Sequence, residues 1–357
     1  MMIIDIVKVF LPTTLSFIIG IVLTPILTNY LYKYQMWKKK AGKIGLDGKE
    51  TVIFNQLHKE KEVGTPKMGG VVVWLSVLIT AMILWFLDYM FFGSIFTQLD
   101  FFSRNQTWIP IGAMLVGSLV GLIDDYLEIK GAGSHFSGGL SLKKRLLTVS
   151  FIALFCALWF YFKLGVATIW LPVLGDFYIG PLFILLFIIV AIGIYSGGVI
   201  DGVDGLSGGV FAAMFSAYAG IAFYQQQLDL AAFCGVVVGA ILAFLWFNIP
   251  PARFYMSETG MMGLTIALSI VAFMTDSLGE GNGLIVLPVI AMPLVATTLS
   301  NIIQLISKKF WNKKIFLVAP LHHHFEAIGW PPYKVTMRYW VVSVVCAIFG
   351  LALALML

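Results

Sequence analysis

Ten stretches of this chain are long and apolar enough to cross a lipid bilayer, centred near Phe17, Leu78, Val116, Leu154, Ile188, Phe215, Ala240, Ile270, Val295 and Val345. A helix rising about 1.5 Å per residue needs about 20 apolar residues to traverse a hydrocarbon core about 30 Å thick. Inside that core backbone polar groups must be satisfied within a helix or a closed barrel. The runs here are continuous rather than alternating, which argues against barrel strands. The expected fold class is therefore all-α, a polytopic integral membrane protein of about ten transmembrane helices forming one domain over residues 1–357. Composition agrees: 11% of residues are charged and 60% hydrophobic, with mean hydropathy +0.94. A soluble domain covers itself with roughly 25% charged residues.

The apolar run from Val9 to Leu31 is too long for a signal peptide and lacks a basic opening region, so it reads as a retained first span. Cys156, Cys234 and Cys346 all fall inside apolar runs and read as small packing residues. Residues 167–179, with Pro172 and Gly175, read as a small hairpin in an outer loop.

Charge sorts the loops. With ten spans, all but Lys8, Arg104 and Lys163 of the 23 basic residues fall on one side. Basic residues in short loops stay cytoplasmic, so both termini are expected outside. All five histidines, His58, His135, His322, His323 and His324, share the basic face with most of the carboxylates. Chemistry on an anionic substrate is expected there.

Four constellations lie on that face. Asp124-Asp125 closes the third apolar run; adjacent carboxylates next to lipid call for a cation or water. They suit magnesium, which takes hard oxygen ligands, or simply mark a helix end reaching interfacial water. Asp201-Gly202-Val203-Asp204-Gly205 places two carboxylates either on one helical face or around a tight turn. In the segment Phe247 to Gly260, Arg253 suits a phosphate clamp, Tyr255 a base or sugar stack, and Glu258 a carboxylate cluster. Arg253 equally suits a topology anchor and Tyr255 an interfacial aromatic belt. Pro320-Leu321-His322-His323-His324-Phe325-Glu326 sets three consecutive imidazoles in different directions, which disfavours a shared zinc and favours phosphate binding or proton transfer. Five carboxylates gathered at one membrane face (Asp124, Asp125, Asp201, Asp204, Glu258) would repel without a metal or basic partners. Together the motifs point to magnesium-dependent phosphoryl transfer.

From Gly64-Thr65-Pro66-Lys67-Met68-Gly69-Gly70 to Trp340 the chain resembles the phospho-N-acetylmuramoyl-pentapeptide-transferases, within the wider polyprenyl-phosphate N-acetylhexosamine-1-phosphate transferases. The match rests on Asp124-Asp125, Asp201-Gly202-Val203-Asp204-Gly205, Phe247-Asn248, Leu299-Ser300 leading to Gln304, and above all Ala319 to Glu326 with Gly329-Trp330. The resemblance implies ten helices in a bacterial inner membrane, with the active site facing the cytoplasm. It implies transfer of phospho-MurNAc-pentapeptide from the UDP-linked donor to undecaprenyl phosphate, releasing UMP. Asp124, Asp125 and Asp204 are then catalytic, and Asp201, Asp204 and Glu258 are expected to hold Mg2+. Gln304, His322, His323 and His324 would meet the nucleotide sugar, joined by Tyr255 and Arg253. Lys143 and Lys144 would hold diphosphate or lipid phosphate. The expected partners are UDP-MurNAc-pentapeptide, undecaprenyl phosphate and membrane lipid, with no nucleic acid; a homodimer is left open.

The chain departs from the family's pattern at several positions. Tyr195 and Gly198 stand where asparagines are usual, Glu258 where aspartate is usual, Tyr255 for phenylalanine, and Glu62 for lysine. The alternatives are a sister transferase for another UDP-N-acetylhexosamine, or a transporter or silent lipid-binding relative. The aspartates sit at helix ends rather than mid-span, which speaks against transport.

Overall fold

The computed structural model describes residues 2–39, 63–102, 107–131, 139–279 and 281–357. Lys40, Lys43, Lys49, Lys59, Lys61, Arg104, His58, His135, Asp47, Glu50, Glu60 and Glu62 lie outside the described residues. The rest is a helical membrane protein with one small hairpin. Its elements are α1 (Met2–Lys33), α2 (Val71–Met90), α3 (Ile95–Leu99), α4 (Trp108–Lys130), α5 (Leu142–Leu158, prolonged by a π-helical turn, Trp159–Lys163), β1 (Thr168–Leu171), β2 (Gly175–Tyr178) and α6 (Leu182–Ser196, ending in a 3-10 turn, Gly197–Ile200). Then follow α7 (Leu206–Tyr224), α8 (Leu228–Asn248), α9 (Ser257–Ser277), α10 (Leu287–Ile290), α11 (Met292–Trp311), α12 (Leu321–Ala327) and α13 (Pro332–Met356).

Nine helices among the described residues are long and apolar enough to cross a membrane. The tenth expected span, near Val295, is the broken pair α10–α11, whose polar second half carries Gln304, Lys308 and Lys309. It still carries the chain across. Beyond the end of α9, Asn282 donates to the carbonyl of Ala354 near the end of α13, while the start of α13 reaches Asp204 at the other end of the bundle through Thr336. The segment between α9 and α13 must therefore return to that other end. Pro288 and Pro293 near the starts of α10 and α11 suit a crossing made of two pieces, because proline favours the first turn of a helix, where its missing N–H goes unneeded.

The core is organised by α9, the most buried of the nine spans. Lipid offers no hydrophobic drive between helices, so close backbone approach and dispersion must supply the packing. Here α4 meets α9 across small residues. A Cβ at Gly121 would overlap the carbonyl of Glu258, one at Gly263 would overlap Ser118 Oγ, and one at Gly117 would lie 2.8 Å from Ile266 Cδ1. On another side α1 packs on α8, where Ser16 Oγ donates to the carbonyl of Val236 at 2.8 Å. Large apolar side chains such as Phe151, Phe155, Val341 and Ile348 are exposed on the outside of the bundle, as a lipid-facing surface requires.

The hairpin expected at 167–179 is present: β1 and β2 pair antiparallel, Thr168 opposite Tyr178. It is held to α9 by Asp276, whose carboxylate accepts the N–H groups of Trp170 and Leu284. Cys156 and Cys234 are buried, Cys346 is partly buried, and all three are free thiols.

Candidate active site

The opposite end of α9 gathers the acidic motifs. Helices begin with unsatisfied N–H groups and a partial positive charge. Here other elements supply the anions. Ser257 N–H donates to Asp201 Oδ2 at 2.8 Å. Thr259 donates to Asp125 Oδ2 through both its N–H, at 2.9 Å, and its hydroxyl, at 2.6 Å. Between them Glu258 Oε1 binds Arg145 Nη1 at 2.6 Å, and Arg145 Nη2 binds Asp124 Oδ2 at 2.8 Å. Three consecutive residues of α9 thus reach Asp201, Asp124 and Asp125. Ser257 holds φ +56, a left-handed conformation that costs a non-glycine residue about 1–3 kcal/mol. The Asp201 bond helps to hold it.

The close approach at Gly121 places Asp124 and Asp125, one turn further along α4, against this end of α9. Both are fully buried. Asp124 also accepts the N–H of Leu140. Asp125 Oδ1 is buried and has no hydrogen-bond partner among the described residues. One turn on, Glu128 pairs with Lys67 at 2.7 Å. Burial opposes the charge of Lys67, but the attraction of Glu128, joined by Asp125, outweighs it and holds the ammonium above its ordinary pKa.

The Asp201–Gly205 segment forms a turn between the end of α6 and α7. Asp201 Oδ1 accepts Ser207 Oγ at 2.7 Å. Burial raises the Asp201 carboxyl above the usual aspartate range, against the lowering effect of the Ser207 and Ser257 donors. Asp204 Oδ2 accepts Ala252 N–H at 3.1 Å, and its carbonyl accepts Thr336 Oγ1 at 2.9 Å. Trp340 Nε1 donates to the carbonyl of Gly205, and Asn248 bridges Gly205 N–H to the carbonyl of Phe254. The turn, not the shared helical face, is the form the two aspartates take.

Gly202 joins this turn to the histidines. A Cβ there would lie 2.5 Å from His322 Nε2 and 2.8 Å from His323 Nε2. The imidazoles of His322 and His323 are buried, with ring centroids 4.2 Å apart, and His323 Nδ1 lies 2.7 Å from Glu326 Oε2. His324 diverges toward Phe316, and its Nδ1 accepts the N–H of Leu317. Two imidazoles therefore converge where three diverging ones were expected. They occupy the first turn of short α12, which packs directly over Gly202.

The remaining expected site residues lie around this centre. Gln304 Oε1 accepts the N–H groups of Ile315 and Phe316, and its Nε2 donates to the carbonyl of Phe316, so it shapes the loop before the histidines. Tyr255 is half-buried; its N–H donates to Pro66 and its carbonyl accepts Gly69 N–H. Arg253 is exposed, 5.8 Å above the Phe247 ring. Lys143 and Lys144 are exposed on the first turn of α5.

Arg145 is the residue that sequence reasoning missed, having counted it only as a loop charge. A signal was there: Arg145, Val149, Ile152 and Cys156 recur at helical spacing on one stripe, and the last three are buried. A cation on a core-facing stripe demands an acid partner. Tyr195 was noted only as a departure from the family's pattern; its hydroxyl donates to Glu258 Oε2 at 3.0 Å. Thr259, Lys67 and Glu128 also went unrecognised as parts of the site.

Repulsion among the carboxylates is thus relieved by Arg145, Lys67 and main-chain donors. Among the described residues no three His, Cys, Asp or Glu side chains are grouped to hold a metal ion. The unsatisfied Asp125 Oδ1 and the hard carboxylate donors nonetheless fit a magnesium ion that completes its shell with water and phosphate oxygens.

Residues 107–276 match the family model described as Glycosyl transferase family 4. The chain is 33% identical to the phospho-N-acetylmuramoyl-pentapeptide-transferase of Anoxybacillus flavithermus (strain DSM 21510 / WK1), 31% to that of Geobacillus sp. (strain WCH70) and 32% to that of Bacillus subtilis (strain 168). Each alignment covers 94% of this chain and 95% of the relative.

Proposed function

The chain belongs to the phospho-N-acetylmuramoyl-pentapeptide-transferase family, and we propose that it transfers phospho-MurNAc-pentapeptide from its UDP carrier to undecaprenyl phosphate, giving lipid I and UMP. The observation that carries this reading is the convergence of Asp124, Asp125 and Asp201 on the first turn of α9. An oxygen of the lipid phosphate attacks the sugar-linked phosphorus of the donor. The bond from that phosphorus to the bridging oxygen breaks, and the electron pair leaves on UMP. A phosphate nucleophile is already ionised near neutral pH, so positioning and charge neutralisation matter more than a base.

Lys143 and Lys144, exposed at the rim, draw the anionic substrates in. Arg145 sets a guanidinium beside Asp124, and His322 and His323 face the Asp201–Asp204 turn across Gly202. Asp125, Asp201, Asp204 and Glu258 are the residues that would hold magnesium, which would supply neutralisation of the diphosphate and of the departing UMP. The site opens to the cytoplasm of a bacterial inner membrane. Lys67, Lys130, Lys143, Lys144, Arg145 and Arg253 all stand at this end of the bundle, whereas Asp176 and Asp276 stand at the other, in keeping with the positive-inside rule.

The test is UMP release by detergent-purified protein from UDP-MurNAc-pentapeptide and undecaprenyl phosphate, with and without magnesium. Release is expected only with both substrates and the cation, and Asp124→Asn and Asp204→Asn are each expected to abolish it. Undiminished turnover in both variants would overturn the assignment.

A further inference from the structure

Tyr195 at the end of α6 and Glu258 in the first turn of α9 touch each other. The Tyr195 ring is buried, so its hydroxyl is a donor fixed in space. It spends that donor on Glu258 Oε2 at 3.0 Å, which leaves Oε1 for Arg145 Nη1 at 2.6 Å. Arg145 in turn reaches Asp124 with Nη2 at 2.8 Å. A fixed phenol, a glutamate, a guanidinium and a buried aspartate thus form one chain across α6, α9, α5 and α4. Without the phenol, Glu258 has three rotatable bonds and a side chain 22% exposed. Both its oxygens could then turn to Arg145 as a bidentate pair, the favoured geometry of a carboxylate with a guanidinium. Such a pair would draw Arg145 away from Asp124.

We infer that Tyr195 is a positioning residue: through Glu258 it holds the Arg145 guanidinium on Asp124. The tyrosine and the glutamate act as a unit. The longer glutamate spans from the phenol to the guanidinium, and an aspartate, about one methylene shorter, would have to give up one of the two. Arg145 Nε is buried and has no hydrogen-bond partner among the described residues.

The first test does not depend on turnover. Phenylglyoxal modification of arginines, read by peptide mass spectrometry in detergent, is expected to proceed several-fold faster at Arg145 in Tyr195→Phe than in the parent protein. Arg253 and Arg338 serve as internal references whose rates stay equal. Unchanged Arg145 reactivity, or a rise at all three arginines, would overturn the inference.

The second test rests on the transferase reading. Tyr195→Phe is expected to lower kcat about tenfold, the rate equivalent of one hydrogen bond to a charged group, with KM for both substrates within about twofold. In an Arg145→Lys background the same substitution is expected to add nothing further. A normal kcat, an equal loss in both backgrounds, or a loss matched by a fall in thermal midpoint would overturn the role of Tyr195. A parent protein that releases no UMP would instead overturn the transferase reading and leave the phenylglyoxal result to decide this one.

Discussion

At the residue scale the site depends on groups whose partners are few and near. Gly202 is one: its Cα faces two buried imidazoles, so Gly202→Ala must displace His322 or His323 or distort the Asp201–Asp204 turn. UMP release is expected to fall at least tenfold, while the thermal midpoint in detergent changes little because the fault is local. Asp201 carries a prediction about pH. Its carboxyl is held above the aspartate range by burial, so the folded state binds that proton more tightly than the unfolded chain. The resulting stability is fully present below the unfolded pKa and is lost as pH rises through the raised value. A cation at this carboxylate offsets the loss. Magnesium is therefore expected to raise the thermal midpoint more at neutral than at acidic pH, and Asp201→Asn is expected to remove that difference. Equal shifts at both pH values would show that Asp201 does not face the cation.

At the element scale the α4–α9 contact decides whether the aspartates meet anything. Gly121 lies against the carbonyl of Glu258, a backbone atom that cannot swing aside. Gly121→Ala is expected to destabilise by about 1–3 kcal/mol through overpacking, seen as a lower thermal midpoint, and to abolish turnover by parting Asp125 from Thr259. Gly117→Ala faces mainly the flexible tip of Ile266 and is expected to be milder in both measurements. Equal effects at the two glycines would mean that the contact is not graded toward the site. The short α12 shows the limit of periodicity. Seven residues cannot display a stripe, so which histidines converge was decided by the surface on which the helix lies.

For the whole molecule, the two ends of α9 divide the labour. One end binds the carboxylates of the site; the other, through Asp276, holds the hairpin and the loop before α10. Asp276→Ala leaves two N–H groups without their acceptor and is expected to lower stability by about 1–3 kcal/mol. UMP release per folded molecule is expected to stay near normal. A selective loss of turnover would reveal coupling between the ends.

The sequence by itself determined the solvent, the helical class and nine of the ten expected spans as single long helices among the described residues. Hydrocarbon admits only helices or closed barrels, continuous apolar runs select helices, and basic loop residues collect on one side. It also determined the hairpin, from β-branched residues around Pro172 and Gly175, and the acidic and histidine motifs, which stand out against an apolar background. Only the tertiary structure decided who meets whom: Arg145 between Asp124 and Glu258, Tyr195 on Glu258, two imidazoles over Gly202, and a tenth crossing broken in two. These pairings join residues from different helices. They follow from how closely glycine-lined backbones approach, and no local pattern of residue types encodes that distance.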